Sequence, residues 1–147
     1  MKIDVQFENE LPISESRIKN IGKAVLQEEK IRFNGILSVA LVTDNTIRDV
    51  NRRFLNIDAP TDVIAFPYDD TADNNEEIWG EIYVSTERAA DQAKTYHVDY
   101  LEELSRLIIH GLLHLAGYRD HTAALKASMH AREDYYLDQL QLRQEEK

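Results

Sequence analysis

Apolar residues recur along the chain in two periods, and the alternation between them predicts four strands and five helices. Ile3–Glu8 alternates apolar and polar, placing Ile3, Val5 and Phe7 on one side of a strand. Ser14 can cap a helix running to about Lys30, whose buried stripe is Ile18, Ile21, Val25 and Leu26, with Gly22 inside it. Ile36–Val42 is a β-rich apolar run and reads as a central strand. Asp44 then caps a short helix through about Leu55, with Ile47, Val50 and Phe54 spaced to face the core.

Val63–Phe66 and Ile78–Val84 predict two further strands. The stretch between them, PYDDTADNNEE, has turn residues and acids but no apolar stripe, and reads as a mobile acidic loop. It lacks the ordered ligand series and central Gly of a calcium loop. Ser85 or Thr86 starts a helix to about Tyr96. Asp99 and Glu102 form a capping box for the next helix, which carries Leu101, Leu104 and Ile108. A last helix spans roughly Thr122 to Gln141, amphipathic through Leu125, Met129, Tyr136 and Leu140. With no internal repeat and no linker, the expected fold is α+β, one small domain over residues 1–147.

Composition narrows the function classes. Cysteine is absent, which excludes disulfides and thiolate-bound metal and fits a reducing compartment. The N-terminus has no apolar core behind a basic start, and ILSVALV is far short of the ~20 residues of a membrane span. A cytoplasmic protein is expected. The net charge of −10 falls entirely in residues 61–147, since residues 1–60 balance nine basic against nine acidic side chains. That argues against tight, non-specific grip on nucleic acid. Arg48, Arg52 and Arg53, on one predicted helix, are the candidates for a local basic face.

Chemistry concentrates in HGLLHLAGYRDH. His110 and His114, four apart on a helix, point the same way and can offer two nitrogens to one ion. Gly117 follows where a helix needs a left-handed residue to stop, so the chain can turn Asp120 or His121 back to the same point. Three protein ligands leave a fourth zinc position open, as catalytic sites require. Imidazole plus carboxylate suits zinc best, with other divalent transition metals possible. Spacing leaves the third ligand open between Asp120 and His121. Zinc metalloproteases carry a Glu directly after the first His; Gly111 stands there and argues against a protease. His97 and His130 have no comparable company and read as ordinary surface or core residues, Tyr118 and Met129 as packing groups.

The same segment resembles the signature of the YbeY family of endoribonucleases, His-Gly-x-x-His-x-x-Gly-Tyr-Asp-His. The likeness extends to NRRFLNIDAPTDVIAF, which resembles the family's Thr-Asp-Val-Leu-Ser-Phe strand and its approach, and to Gly80-Glu81-Ile82, similar to its Gly-Asp-Ile strand. The resemblance implies a mixed four-stranded sheet packed with about five helices and a zincin-like metal helix. It implies a zinc-dependent, single-strand-specific endoribonuclease in ribosomal RNA maturation (small-subunit 3′ end) and ribosome quality control, with ribosomal RNA and the ribosome or small-subunit proteins as partners. Carried over by position, His110 and His114 are the first two metal ligands and Asp120 takes the third place, Arg119 standing at the family's Asp. The family's Arg after the aromatic corresponding to Phe54 is here Leu55, leaving Arg52 and Arg53 as phosphate-contact candidates. Two alternatives accompany this reading: a metal-stabilised, non-catalytic ribosome biogenesis factor, and a metal-dependent hydrolase of another substrate.

Overall fold

The computed structural model describes residues 2–68 and 78–143. The acidic stretch 69–77 lies outside them. Nine elements follow in order: β1 (Lys2–Phe7), α1 (Glu15–Glu28), β2 (Ile36–Val42), α2 (Asp44–Leu55), β3 (Val63–Pro67), β4 (Ile78–Ser85), α3 (Thr86–Tyr96), α4 (Tyr100–Leu115) and α5 (Ala123–Gln139). The strands form one mixed sheet in the order β1-β2-β4-β3. β1, β2 and β4 run parallel, and β3 pairs antiparallel with β4. This is the expected α+β architecture. Among the described residues no helix is long and apolar enough to cross a membrane.

Helix starts follow local chemistry. Ser14, Thr43, Ser85 and Thr122 each accept a backbone N–H from the first turn of the helix they precede. Thr43, not Asp44, therefore caps α2; the Asp44 carboxylate instead accepts from Ser85 Oγ at 2.6 Å. The expected capping box on α4 does not form. Asp99 holds the N-cap position but makes no side-chain cap bond, and Glu102 is buried at 8 % exposure.

The two faces of the sheet are covered unequally. On one, Leu37, Val39, Ile82 and Val84 join the main core with α1, α4 and α5. On the other, α2 covers only a small cluster of Ala40, Val42, Ile47 and Ile64. Phe54, expected in the core, is 66 % exposed and pairs edge-on with Phe66, with ring centroids 5.7 Å apart. β3 is an edge strand, so among the described residues no further strand extends the surface beneath the end of α2. Phe7, on the opposite edge strand β1, is exposed for the same reason. Leu125, in the first turn of α5, is also partly exposed, whereas Met129 and Tyr136 are buried.

Two glycines let α4 lie close on β4. A Cβ at Gly111 would stand 2.7 Å from Ile82 Cγ2, and one at Gly80 2.9 Å from Leu115 Cδ1. Ile82 is fully buried and has nowhere to swing. Gly111→Ala is thus expected to destabilise the fold by ~1–3 kcal/mol through overpacking, despite the better helix propensity of Ala. Urea unfolding measures it. A gain in stability, as an exposed helical Gly would give, overturns the close-packing account.

Candidate metal centre

α4 presents its chemistry at the C-terminal end. His110 and His114 lie one turn apart, with Nε2 atoms 3.0 Å from each other. Asp120 Oδ2 lies 3.6 Å from His110 Nε2 and 3.4 Å from His114 Nε2. Gly117, at φ +106°, turns the chain after the helix and allows Asp120 to return. His121 is exposed and belongs to no such group, while His110, His114 and Asp120 form the one among the described residues.

Each imidazole is held from behind. His110 Nδ1 donates to Glu133 Oε2 at 2.7 Å, and His114 Nδ1 donates to the Tyr118 carbonyl at 3.1 Å. With both Nδ1 atoms committed as donors to oxygens, the neutral rings aim their Nε2 lone pairs at each other. Two lone pairs at this distance repel unless a proton or a metal cation lies between or beside them. Tetrahedral zinc with bonds of ~2.0–2.1 Å places its ligand atoms ~3.3 Å apart, close to the three separations found here. The donor set fits a divalent ion. Burial opposes charge on His110, but the hydrogen bond to Glu133 and the negative charges of Glu133, Asp120 and Asp62 outweigh it, raising the pKa above 6.5. The three side chains retain 23, 31 and 39 % exposure, so a ligand can reach them from solvent.

Tyr118 does more than pack. Its carbonyl positions His114, and its hydroxyl donates to Glu29 at 2.8 Å. Glu29 also accepts from Arg132 Nε at 2.8 Å and from the Tyr136 hydroxyl. Burial raises the Glu29 pKa, but these bonds outweigh it and the net shift is downward from 4.5. A depressed carboxylate contributes stability above its unfolded pKa, and that contribution is lost as pH falls through the folded value. Glu29→Gln is therefore expected to cost ~1.5–3 kcal/mol at neutral pH. It should also flatten the loss of stability below about pH 4.5 in denaturant titrations. Parallel acid limbs in the two proteins would show that Glu29 is not the clamp.

Several residues around the centre lie outside the motif that marks it in the sequence. Glu133, buried on α5, accepts from His110 and from Arg106 Nη1 at 3.1 Å, while Arg106 Nη2 donates to Asp134 at 2.6 Å. His130, expected to be without company, lies 3.3 Å from Arg106 Nη1. His97, by contrast, is an exposed residue ending α3 at positive φ. Arg106 is detectable in principle, since it sits four residues before His110 and shares its helix face. Arg52 and Arg53 are exposed on α2 and both bind Asp49. They do not line the ≈ 500 Å³ cleft that shares His110 and Glu133 with the centre.

Position 111 settles one feature of the chemistry. A side chain there would enter the core against Ile82, so α4 presents no carboxylate directly after its first His.

The comparisons with known proteins converge on one family. The profile described as Endoribonuclease YbeY matches residues 4–141. An endoribonuclease YbeY of Flavobacterium psychrophilum is 35% identical over 144 residues, covering 97% of this chain and 99% of that protein. One from Amoebophilus asiaticus is 39% identical over 113 residues, covering 77% of this chain and 74% of the relative. A Thermotoga maritima protein solved in solution superposes with a TM-score of 0.66 at 27% identity, over 94% of this chain and 88% of that one. Because these matches run through the sheet and the metal-helix segment together, the chain belongs to the endoribonuclease YbeY family.

Proposed function

We propose that this chain is a zinc-dependent, single-strand-specific endoribonuclease of ribosomal RNA maturation, acting at the small-subunit 3′ end and in ribosome quality control. Residues 1–147 serve as one catalytic domain in the cytoplasm, with ribosomal RNA as substrate and the ribosome or small-subunit proteins as partners. The relatives' shared name supports an RNA substrate. The observation that carries the metal is the pair of Nε2 atoms facing each other at 3.0 Å with Asp120 beside them. His110, His114 and Asp120 hold the ion. Two imidazoles and a carboxylate favour zinc.

When bound, the ion supplies Lewis acidity, polarising a phosphoryl oxygen and lowering the pKa of a water towards ~7. Glu133 and the Tyr118 carbonyl fix the two rings so that Nε2, not Nδ1, faces the ion. Arg52 and Arg53 contact phosphates of the flanking strand from α2. The lack of a carboxylate at position 111, where Gly111 packs against Ile82, counts against peptide hydrolysis.

Chelation provides the direct test. Cleavage of single-stranded ribosomal RNA should vanish in chelator and return with zinc, at a metal stoichiometry near one per chain. Cleavage indifferent to chelator sinks the metallonuclease. Leu55 and the acidic cleft favour a second reading, a non-catalytic biogenesis factor stabilised by its metal. Bound metal with no cleavage under any divalent ion would select it.

A further inference from the structure

The cleft beside His110 contains a carboxyl group that feels the charge of Arg106 but takes no hydrogen bond from the described residues. Glu103 is 2 % exposed, and its carboxylate has no hydrogen bond or ion pair among the described residues. It lines the ≈ 500 Å³ cleft together with Asp62, Gln92, Tyr96, Arg106 and Leu107. Its oxygens are not among the fully buried atoms that lack a partner, so they open onto the cleft, where the donors of a ligand can meet them.

The character of the cleft excludes most ligands. Asp62, Glu102, Glu103 and Glu133 repel phosphate, and Arg106 is already engaged by Glu133 and Asp134. Among the described residues these acids form no ion-binding cluster. Glu103 lies seven residues before His110 on α4, which puts it ~10 Å away along the helix axis. A proton donor to the reacting phosphate would have to be within ~3 Å. That separation suits the base of a nucleotide flanking a phosphate held at the metal. Single-stranded RNA is read through unstacked bases whose edges hydrogen-bond to protein and whose faces stack on aromatics. The exposed Tyr96 ring and the Leu107 side chain offer such faces.

Resting on the endoribonuclease reading, the geometry points to a base-recognition subsite in this cleft, with Glu103 accepting hydrogen bonds from the Watson–Crick edge of guanine. Guanine presents two adjacent donors, N1–H and the 2-amino group, which match the two oxygens of a carboxylate. Adenine and cytosine offer one donor beside an acceptor, which would face the carboxylate unfavourably. Burial raises the Glu103 pKa; Arg106 opposes this, while Asp62, Glu102 and Glu133 add to it, a strain that a bound donor edge relieves.

The test compares guanosine with inosine, which lacks only the 2-amino group, at one position of a fluorescent oligouridine. Binding to the zinc-loaded protein is read by anisotropy, with cleavage followed separately. Wild type is expected to bind the guanosine strand about 10-fold more tightly. In Glu103→Gln, checked for zinc content and melting, that ratio should fall to near one. Equal wild-type affinity, or no binding of either strand, overturns the subsite even if the variant does not fold. A ratio that persists in a folded Glu103→Gln also overturns it. Guanosine preference without any cleavage keeps the subsite and removes the nuclease reading beneath it. Displacement of a labelled arginine-rich peptide, sensitive to Glu103→Gln and without base discrimination, would assign the cleft to a protein cation instead.

Discussion

His114→Ala is expected to abolish detectable RNA cleavage while leaving the metal-free fold nearly intact. The His114 side chain is 31 % exposed, so truncation removes little buried surface and should cost no more than ~1 kcal/mol in the apo protein. The catalytic loss is much larger. Losing an outer partner of a metal ligand already costs ~10–100-fold in affinity or activity, and losing a ligand itself must exceed that. A second readout needs no RNA. Ligand held at 100 times its dissociation constant stabilises the native state by ~2.7 kcal/mol, which for a chain of this size raises the melting temperature by roughly 5–10 °C. Wild type should show that rise on adding zinc, and His114→Ala should not. Equal cleavage by both proteins would reveal a contaminating nuclease. An equal zinc-induced rise would remove His114 from the ligand set.

The arrangement behind that expectation is partly legible in the amino-acid sequence. His110, His114 and the Gly117 break are local features, and spacing on a helix dictates where such side chains point. The element pattern is equally readable, because alternation and helical stripes are also local. Periodicity identifies an apolar face without saying whether anything covers it. Phe54 and Phe7 depart from expectation for that reason, each lying over or along an edge of the sheet. Glu102 and Glu103 mislead differently. At a helix start acids normally serve the dipole or a cap, yet here both are buried along the cleft wall. Tyr118 and Glu29 meet across most of the chain, a contact that no spacing rule encodes.

Glu133 is the clearest case of a role written only in the packing of α5 on α4, and its removal carries the largest expected stability effect. Between Arg132 and Asp134 it reads as one more charge on a polar helix. In the fold its side chain is 6 % exposed, with one oxygen facing His110 Nδ1 and the other facing Arg106. Glu133→Ala leaves the guanidinium of Arg106, itself only 17 % exposed, with Asp134 as its one remaining carboxylate partner among the described residues, beside His130 Nδ1 at 3.3 Å. Breaking a buried pair from one end typically costs ~3–5 kcal/mol, and the variant should unfold at correspondingly lower urea. It also frees the His110 ring to rotate and removes the acceptor that makes Nε2 the basic nitrogen. Zinc affinity should then fall by ~10–100-fold in competition with a chromophoric chelator. Glu133→Gln separates the two consequences. Its single carbonyl oxygen can serve His110 or Arg106 but not both, and it keeps the packing volume. Stability should recover by about half of the Ala loss, whereas zinc affinity should stay depressed because a neutral amide polarises the imidazole less than a carboxylate. If Glu133→Gln binds zinc as tightly as wild type, the ring is oriented by packing alone and the buried acid serves only Arg106.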